Sequence, residues 1–194
     1  NRIVLAADAR LSQPDYANDI CWELSCRKSE TAPFSLNTSF GLRARSMRMF
    51  PRLVRAEIGP PHASQPSLNL RILRNYPNFI QLSCQPLSGL EMKADIWVPS
   101  SHVITGQIHI TNRSILNQKF RFDWTALLTP MDQGHGMAAM PMAKTYVLEG
   151  KTADVCPVCF LTNGPNPGSS SFPTLGYDFD LFPGNEVHFT WAMA

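Results

Sequence analysis

The chain has 194 residues, of which 44% are hydrophobic and 16% charged, and its formal net charge is +2. This length and hydrophobic fraction suit a folded domain with a substantial core and exclude a disordered chain. The nearly balanced charge indicates no polyanionic partner, and no apolar run reaches the length of a membrane span. Neither nucleic acid nor a membrane is therefore predicted as a partner.

Short segments of alternating apolar and polar residues fill the chain, separated by prolines and glycines. No window of helical length carries a clean apolar stripe with the helical period. The pattern predicts an all-β fold, a large two-sheet antiparallel sandwich of about a dozen strands forming a single domain over residues 1–194. In chain order, the predicted strands are Ile20 to Cys26, Phe34 to Phe40, Leu42 to Val54 with a break near Pro51, Leu68 to Leu73, Phe79 to Cys84, Leu90 to Val98, His102 to Thr111, Gln118 to Leu128, Met142 to Leu148, Val155 to Leu161, Leu175 to Leu181 and Glu186 to Trp191.

Two strands in the middle of the chain have the clearest alternation. In the second of them Phe120, Phe122 and Trp124 share one face, and the connector before it is rich in asparagine and serine. This turn chemistry predicts that residues 102–111 and 118–128 form an antiparallel hairpin with one solvated face. Typical turn sequences at 85–89 and 182–185 are likewise predicted to join pairs of strands.

The tryptophans and cysteines give further expectations. All four tryptophans lie in strand patterns and are predicted to fill the core: Trp22, Trp97, Trp124 and Trp191. The five cysteines are an odd number, which disfavours a disulfide framework. Together with the lack of a signal-peptide pattern at the start, this favours a cytoplasmic location. The first residue is not methionine and the last strand pattern stops abruptly, so we expect a fragment of a longer chain.

Two groups of residues are weak candidates for metal binding. The Cys156-Pro-Val-Cys159 segment has the spacing of half a zinc site, but no second pair accompanies it. Thioethers and imidazole suit Cu(I) and cluster between residues 131 and 142. In both places packing is the favoured interpretation, so no metal and no cofactor is predicted, and a metal-binding sandwich stays the third alternative. The second group contains Met131, Asp132, His135, Met137, Met140 and Met142.

No catalytic set stands out either. Aspartates occur near both ends, including Asp15, Asp178 and Asp180, but no arrangement distinguishes an acid from a base. The sequence contains no nucleophile elbow and no phosphate-binding loop. A self-sufficient hydrolase is therefore the least favoured reading, and no catalytic residue is predicted.

Five segments together resemble a known family. They are residues 8–16 (DARLSQPDY), 41–52 (GLRARSMRMFPR), 76–79 (YPNF), 95–99 (DIWVP) and 161–168 (LTNGPNPG). The chain resembles, over nearly its whole length, the N-terminal β-sandwich (supersandwich) domain of bacterial glycoside hydrolases with an (α/α)6 barrel, of the glucoamylase-like or debranching type. The resemblance implies a non-catalytic accessory domain, because in that group the catalytic carboxylates lie on the helical barrel.

The resemblance also implies partners and contact residues. A covalently linked helical barrel is the expected partner, and the sandwich would pack on it and shape the carbohydrate cleft. The residues expected to contact carbohydrate or the barrel are Asp15, Tyr16, Arg43, Arg45, Arg48, Asn163 and Asn166. Arginine suits carboxylate or hydroxyl recognition, although a solvated strand face is the favoured explanation of the arginines. The alternative function is an independent carbohydrate-binding sandwich, and an exposed apolar face would let the isolated chain form a homodimer.

Overall fold

The computed structural model describes residues 2–7, 20–26, 32–55, 69–131, 133–168 and 172–194. In these ranges the protein is all-β, with fifteen strands in two antiparallel sheets, which confirms the predicted two-sheet sandwich. The strands are β1 (Arg2–Leu5), β2 (Trp22–Ser25), β3 (Ser35–Thr38), β4 (Ala44–Arg55), β5 (Arg71–Tyr76), β6 (Phe79–Leu87), β7 (Leu90–Ser100), β8 (Val103–Asn112), β9 (Gln118–Pro130), β10 (His135–Met142), β11 (Thr145–Lys151), β12 (Val158–Leu161), β13 (Asn166–Pro167), β14 (Thr174–Leu181) and β15 (Glu186–Met193).

The two sheets differ in size and strand order. The seven-stranded sheet, called the small sheet, has the order β1-β2-β3-β4-β9-β14-β13. The eight-stranded sheet, called the large sheet, has the order β10-β11-β12-β15-β8-β7-β6-β5. The last strand in sequence, β15, therefore lies in the interior of the large sheet, between β12 and β8.

Stacked aromatic rings join the two sheets at the centre of the core. Trp124 on β9 stacks on Trp191 on β15 with ring centroids 4.5 Å apart, and Phe122 stacks on Phe189 in the same way at 4.6 Å. The neighbouring strand leaves room for the indole by carrying Gly106. A Cβ at Gly106 would lie 2.2 Å from the Asp95 carbonyl oxygen and 2.8 Å from the Trp191 ring. Glycine at this point is thus a steric requirement of the central stack.

The predicted hairpin of residues 102–111 and 118–128 is wrong. β8 pairs with β7 and β15 in the large sheet, whereas β9 pairs with β4 and β14 in the small sheet. Residues 113–117 between them carry the chain across the sandwich. Alternation fixes which face of each strand is buried, but it does not fix which strand lies alongside. The segment 182–185 also crosses, from β14 to β15, whereas the turn at 88–89 joins β6 to β7 as predicted.

Asn112 forms hydrogen bonds with both connections that cross between the sheets, residues 113–117 and 182–185. Its side chain is fully buried, and Nδ2 donates hydrogen bonds to the carbonyls of Leu116 at 2.8 Å and Leu181 at 2.7 Å. Its Oδ1 accepts from the backbone N–H of Ser114 at 2.9 Å. Its backbone N–H donates to the Asn185 carbonyl at 3.0 Å, and its carbonyl accepts from the Gly184 N–H at 2.9 Å. This one residue, through its side chain and its backbone, thus satisfies polar groups of both connections.

Two other strand predictions need correction. Residues 142–148 are not one strand, because the chain turns at Ala143 (φ 53°) and Lys144 between β10 and β11. β10 was not among the predicted strands. In β4, Pro51 does not interrupt the strand. β3 pairs with β4 only as far as Met49, so among the described strands Pro51 has β9 as its one neighbour, and a proline is tolerated there.

Replacing Asn112 tests whether its hydrogen bonds stabilise the two connections between the sheets. Asn112→Ala should lower the free energy of unfolding by about 2–4 kcal/mol, because two carbonyls lose their donor and the N–H and hydroxyl of Ser114 lose their acceptor. Asn117→Ala is the matched control, since exposed Asn117 donates only to the side chain of exposed Asp180 among the described contacts. Urea denaturation measures both variants, and equal losses would contradict the role of Asn112.

Replacing Gly106 tests the central stack. Gly106→Ala should cost about 1–3 kcal/mol through overpacking, because the new methyl group meets a backbone carbonyl and the Trp191 ring. Gly136→Ala on β10 is the control, since its Cβ would meet only the Leu128 carbonyl, at 3.3 Å. Thermal unfolding and near-ultraviolet circular dichroism report the change, and an unaltered tryptophan signal would contradict the expected clash.

Candidate functional site

A row of side chains crosses the outer face of the large sheet at right angles to the strands. Successive residues of the row are cross-strand partners, so each lies beside the next. Four of them are aromatic, and we call these the aromatic row: Tyr76, Phe79, Trp97 and Phe160. Between Trp97 and Phe160 the partners are Thr105 and Ala192.

Strand alternation forces the aromatic row outward. Ile96 and Val98 on either side of Trp97 are fully buried, so Trp97 points away from the core and is 48% exposed. The same holds for Phe160, which is 41% exposed between two buried neighbours. The prediction that all four tryptophans fill the core is thus wrong for Trp97 and holds for the other three.

The small side chains of the row form a trough between the larger ones. Thr105 and Ala192 lie on β8 and β15, between Trp97 on β7 and Phe160 on β12. The Thr105 hydroxyl donates to the Trp191 carbonyl at 2.6 Å, so it is held against the sheet. Trp97 and Phe160 form the two aromatic walls of this trough, and three strand spacings, a distance of about 14 Å, separate them. The result is a shallow depression with a ring at each side.

Polar side chains form a second row, the polar row, next to the first. Gln81, Asp95, Gln107 and Thr190 are successive cross-strand partners on the same face, two residues along their strands from the aromatic row. Gln81 Nε2 donates to Asp95 Oδ1 at 2.8 Å, which holds both side chains in place. Gln107 is exposed. Amide and carboxylate groups in these positions can donate to and accept from the hydroxyl groups of a ligand.

Ion pairs occupy the far end of this face. His109 Nδ1–H donates to Glu186 at 2.9 Å, and the His109 and His188 rings stack with centroids 5.9 Å apart. The His109 hydrogen bond lowers the pKa of Glu186, and the Arg113 hydrogen bond at 2.8 Å lowers the pKa of Glu91. Both carboxylates are therefore ionised at neutral pH, and they are bonded to His109 on β8 and to Arg113 just after β8.

The methionine segment is divided between the two faces of the large sheet. Met137 is buried, whereas Met140 and Met142 are exposed on the outer face beyond Phe160. Asp132 lies outside the described residues. The methionines that were weighed as Cu(I) ligands therefore do not share one side of β10. In the described part of the chain, no three His, Cys, Asp or Glu side chains form a group that could hold a metal ion.

The CxxC segment is also divided. Cys156 is exposed before β12, and Cys159 is fully buried on the core side of that strand. Burial raises the pKa of the Cys159 thiol to about 12, so this thiol stays protonated at neutral pH. A zinc ligand or a redox-active cysteine requires the thiolate. The arrangement fits a core thiol and a separate surface thiol.

The arginines predicted to contact carbohydrate or the barrel lie in three different places. Arg43 is in the turn before β4, where it donates to the Phe40 carbonyl at 3.1 Å and lies 3.3 Å from Asp154, beside a recess of about 380 Å³. Arg45 lines a different recess of about 240 Å³ on the small sheet. Arg48 stacks over the Phe50 ring at 4.9 Å.

The remaining predicted contact residues are also dispersed. Asn163 donates to the His188 carbonyl at 3.4 Å, and its φ of 72° places it in the left-handed region that asparagine tolerates in turns. Asn166 is exposed on the short edge strand β13. Asp15 and Tyr16 lie outside the described residues. None of the five described residues belongs to the aromatic row.

Comparison with known proteins assigns no relationship. The sequence matches no model of a known protein family, and no curated protein is significantly similar to it. Over the residues that the structure describes, no helix is long and apolar enough to cross a membrane.

The Glu186–His109 pair makes stability depend on pH. Because the hydrogen bond with His109 lowers the pKa of Glu186 in the folded protein, the ionised carboxylate stabilises the fold above the ordinary carboxyl range, and this stabilisation disappears as the pH falls through the lowered pKa. The melting temperatures of the wild type and Glu186→Gln should differ slightly at pH 6 and converge near pH 3. The corresponding difference in the free energy of unfolding stays below about 1 kcal/mol because the pair is exposed. A difference in melting temperature that increases as the pH falls would contradict this assignment.

Proposed function

We propose that this chain is a non-catalytic β-sandwich domain that binds carbohydrate on the outer face of its large sheet. The observation that carries the proposal is the aromatic row, in which Phe79, Trp97 and Phe160 project from strands whose opposite faces are buried in the core. Aromatic rings supply rigid apolar area at a small entropic cost and pack against the C–H faces of pyranose rings. The neighbouring amides of Gln81 and Gln107 supply hydrogen bonds for hydroxyl groups.

The charge distribution supports a binding role on this face. The carboxylates Glu91 and Glu186 are paired with Arg113 and His109, and Asp95 accepts a hydrogen bond from Gln81. Groups bound to one another in this way fix the strands rather than take protons from a ligand. This fits the accessory domain of a glycoside hydrolase, which the sequence resemblance implies.

A second candidate is that this face packs against a helical catalytic domain. Met140 and Met142 favour it, because exposed methionines beyond Phe160 extend the apolar area without adding hydrogen-bonding groups. Flexible thioethers adapt well to an irregular protein surface. In that case Trp97 would be shielded from acrylamide quenching in the longer protein that this candidate requires, and exposed to it in the present chain.

Tryptophan fluorescence tests the carbohydrate proposal. Trp97 is the exposed tryptophan and the other three are buried, so a ligand on this face should change the emission and protect it from acrylamide. Trp97→Ala should weaken glycan binding at least about tenfold, or about 1.4 kcal/mol, without lowering the melting temperature. Phe182→Ala is the matched control, since Phe182 is an exposed aromatic residue in the turn between β14 and β15.

A panel of soluble neutral oligosaccharides provides the ligands. Binding that Trp97→Ala weakens and Phe182→Ala leaves unchanged would support the proposal. A flat fluorescence response and flat calorimetric titrations across the panel would reject it and leave the domain-packing candidate.

A further inference from the structure

We propose that the ligand is a single extended chain of a neutral glycan, which lies across the strands and contacts Trp97 and Phe160 at the same time. This inference rests on the proposed carbohydrate-binding function and adds the orientation, the minimum length and the class of polymer. Its observations are the spacing of the aromatic rings, the small residues between them and the twist of the sheet.

The spacing sets the length of the ligand. Trp97 and Phe160 are separated by two strands that contribute only Thr105 and Ala192 to the row, so about 14 Å of small-residue surface lies between the rings. A single sugar ring covers one wall but cannot reach the other. A chain of several sugars can contact both, and the second contact then forms at a high effective concentration.

The row sets the direction of the ligand. Cross-strand partners follow one another at right angles to the strands, and the polar row of Gln81, Asp95 and Gln107 runs parallel to them. A chain that follows the aromatic row therefore keeps one edge against amide and carboxylate groups along its length. A chain that followed a single strand would pass from Trp97 to Asp95 and then to exposed Lys93, and would leave the rings behind.

The twist of the sheet and the charge of the face set the class of polymer. Neighbouring strands rotate by about 20–25°, so β7 and β12 differ by about 60–75°. Rings carried by them do not share a plane, and a flat crystalline polysaccharide cannot contact both. A single soluble chain can follow the twist. Asp95 is the one charged side chain among the four residues of the polar row, so an anionic polysaccharide meets repulsion there and a neutral glycan does not.

Binding affinity as a function of chain length tests the inference. Isothermal titration of the wild type with cello-oligosaccharides and malto-oligosaccharides, from disaccharide to hexasaccharide, should show the dissociation constant falling at least about tenfold in the series that binds. Phe160→Ala should remove this gain, bringing the hexasaccharide close to the disaccharide, while the disaccharide value stays unchanged. Trp97→Ala should weaken both.

A second variant blocks the trough without removing a ring. Ala192→Leu places a branched side chain between the two walls, on the outer face, and should also weaken the hexasaccharide selectively. Melting temperatures confirm that each variant folds, and Phe182→Ala again serves as the control. Crystalline cellulose should not retain the wild-type protein in a pull-down.

The outcomes separate the two proposals. If no oligosaccharide binds, the carbohydrate function itself is rejected. If oligosaccharides bind with Trp97-dependent affinity that does not change with length, or if Phe160→Ala weakens the disaccharide as much as the hexasaccharide, the carbohydrate function stands and the bridging chain is overturned. Retention on crystalline cellulose at the same affinity would also overturn it.

Discussion

The stacking of β9 against β15 is the contact on which the rest of this sandwich depends. Two aromatic pairs, Trp124 with Trp191 and Phe122 with Phe189, meet face to face across the core and fix the two sheets relative to each other. The tryptophan stack has room because β8 carries Gly106 where any other side chain would collide with the Trp191 ring. The centre of the core is thus specified by large rings on two strands and by a missing side chain on a third.

The core register also determines the outer surface. Since successive side chains of a strand point to opposite faces, placing Trp191 and Met193 in the core puts Ala192 outside, and burying Ile96 and Val98 puts Trp97 outside. The aromatic row and its trough are consequences of the same alternation that fills the interior. A shift of β15 by one residue would turn Trp191 outward and would replace the trough with a bulky ring. The candidate binding face is therefore as well defined as the core behind it.

The sequence predicted the fold class because alternation and turn residues are local signals. It failed where the answer depended on which strands become neighbours, as for β8 and β9, whose buried faces oppose each other across the core instead of sharing a sheet. The exposure of Trp97 could have been predicted from the sequence. Ala94, Ile96 and Val98 alternate as the buried face of the strand, so Trp97 falls on the opposite face with Lys93 and Asp95. The sequence could not predict that Trp97 and Phe160 lie in the same row, since only the pairing of β8 with β15 brings their strands into this arrangement.

The position of β15 has a consequence for the order of folding. This strand is the last of the fifteen in sequence, yet it lies between β8 and β12, and it brings two rings of the central stacks. Until it is in place, the large sheet consists of two separate parts, and Asn112 lacks the carbonyl of Asn185 that its N–H requires. Contacts of such long sequence separation form slowly because the intervening chain must first be ordered. A growing chain therefore cannot close this sandwich from its N-terminal end, and the facing edges of β8 and β12 stay unpaired until β15 has been synthesised.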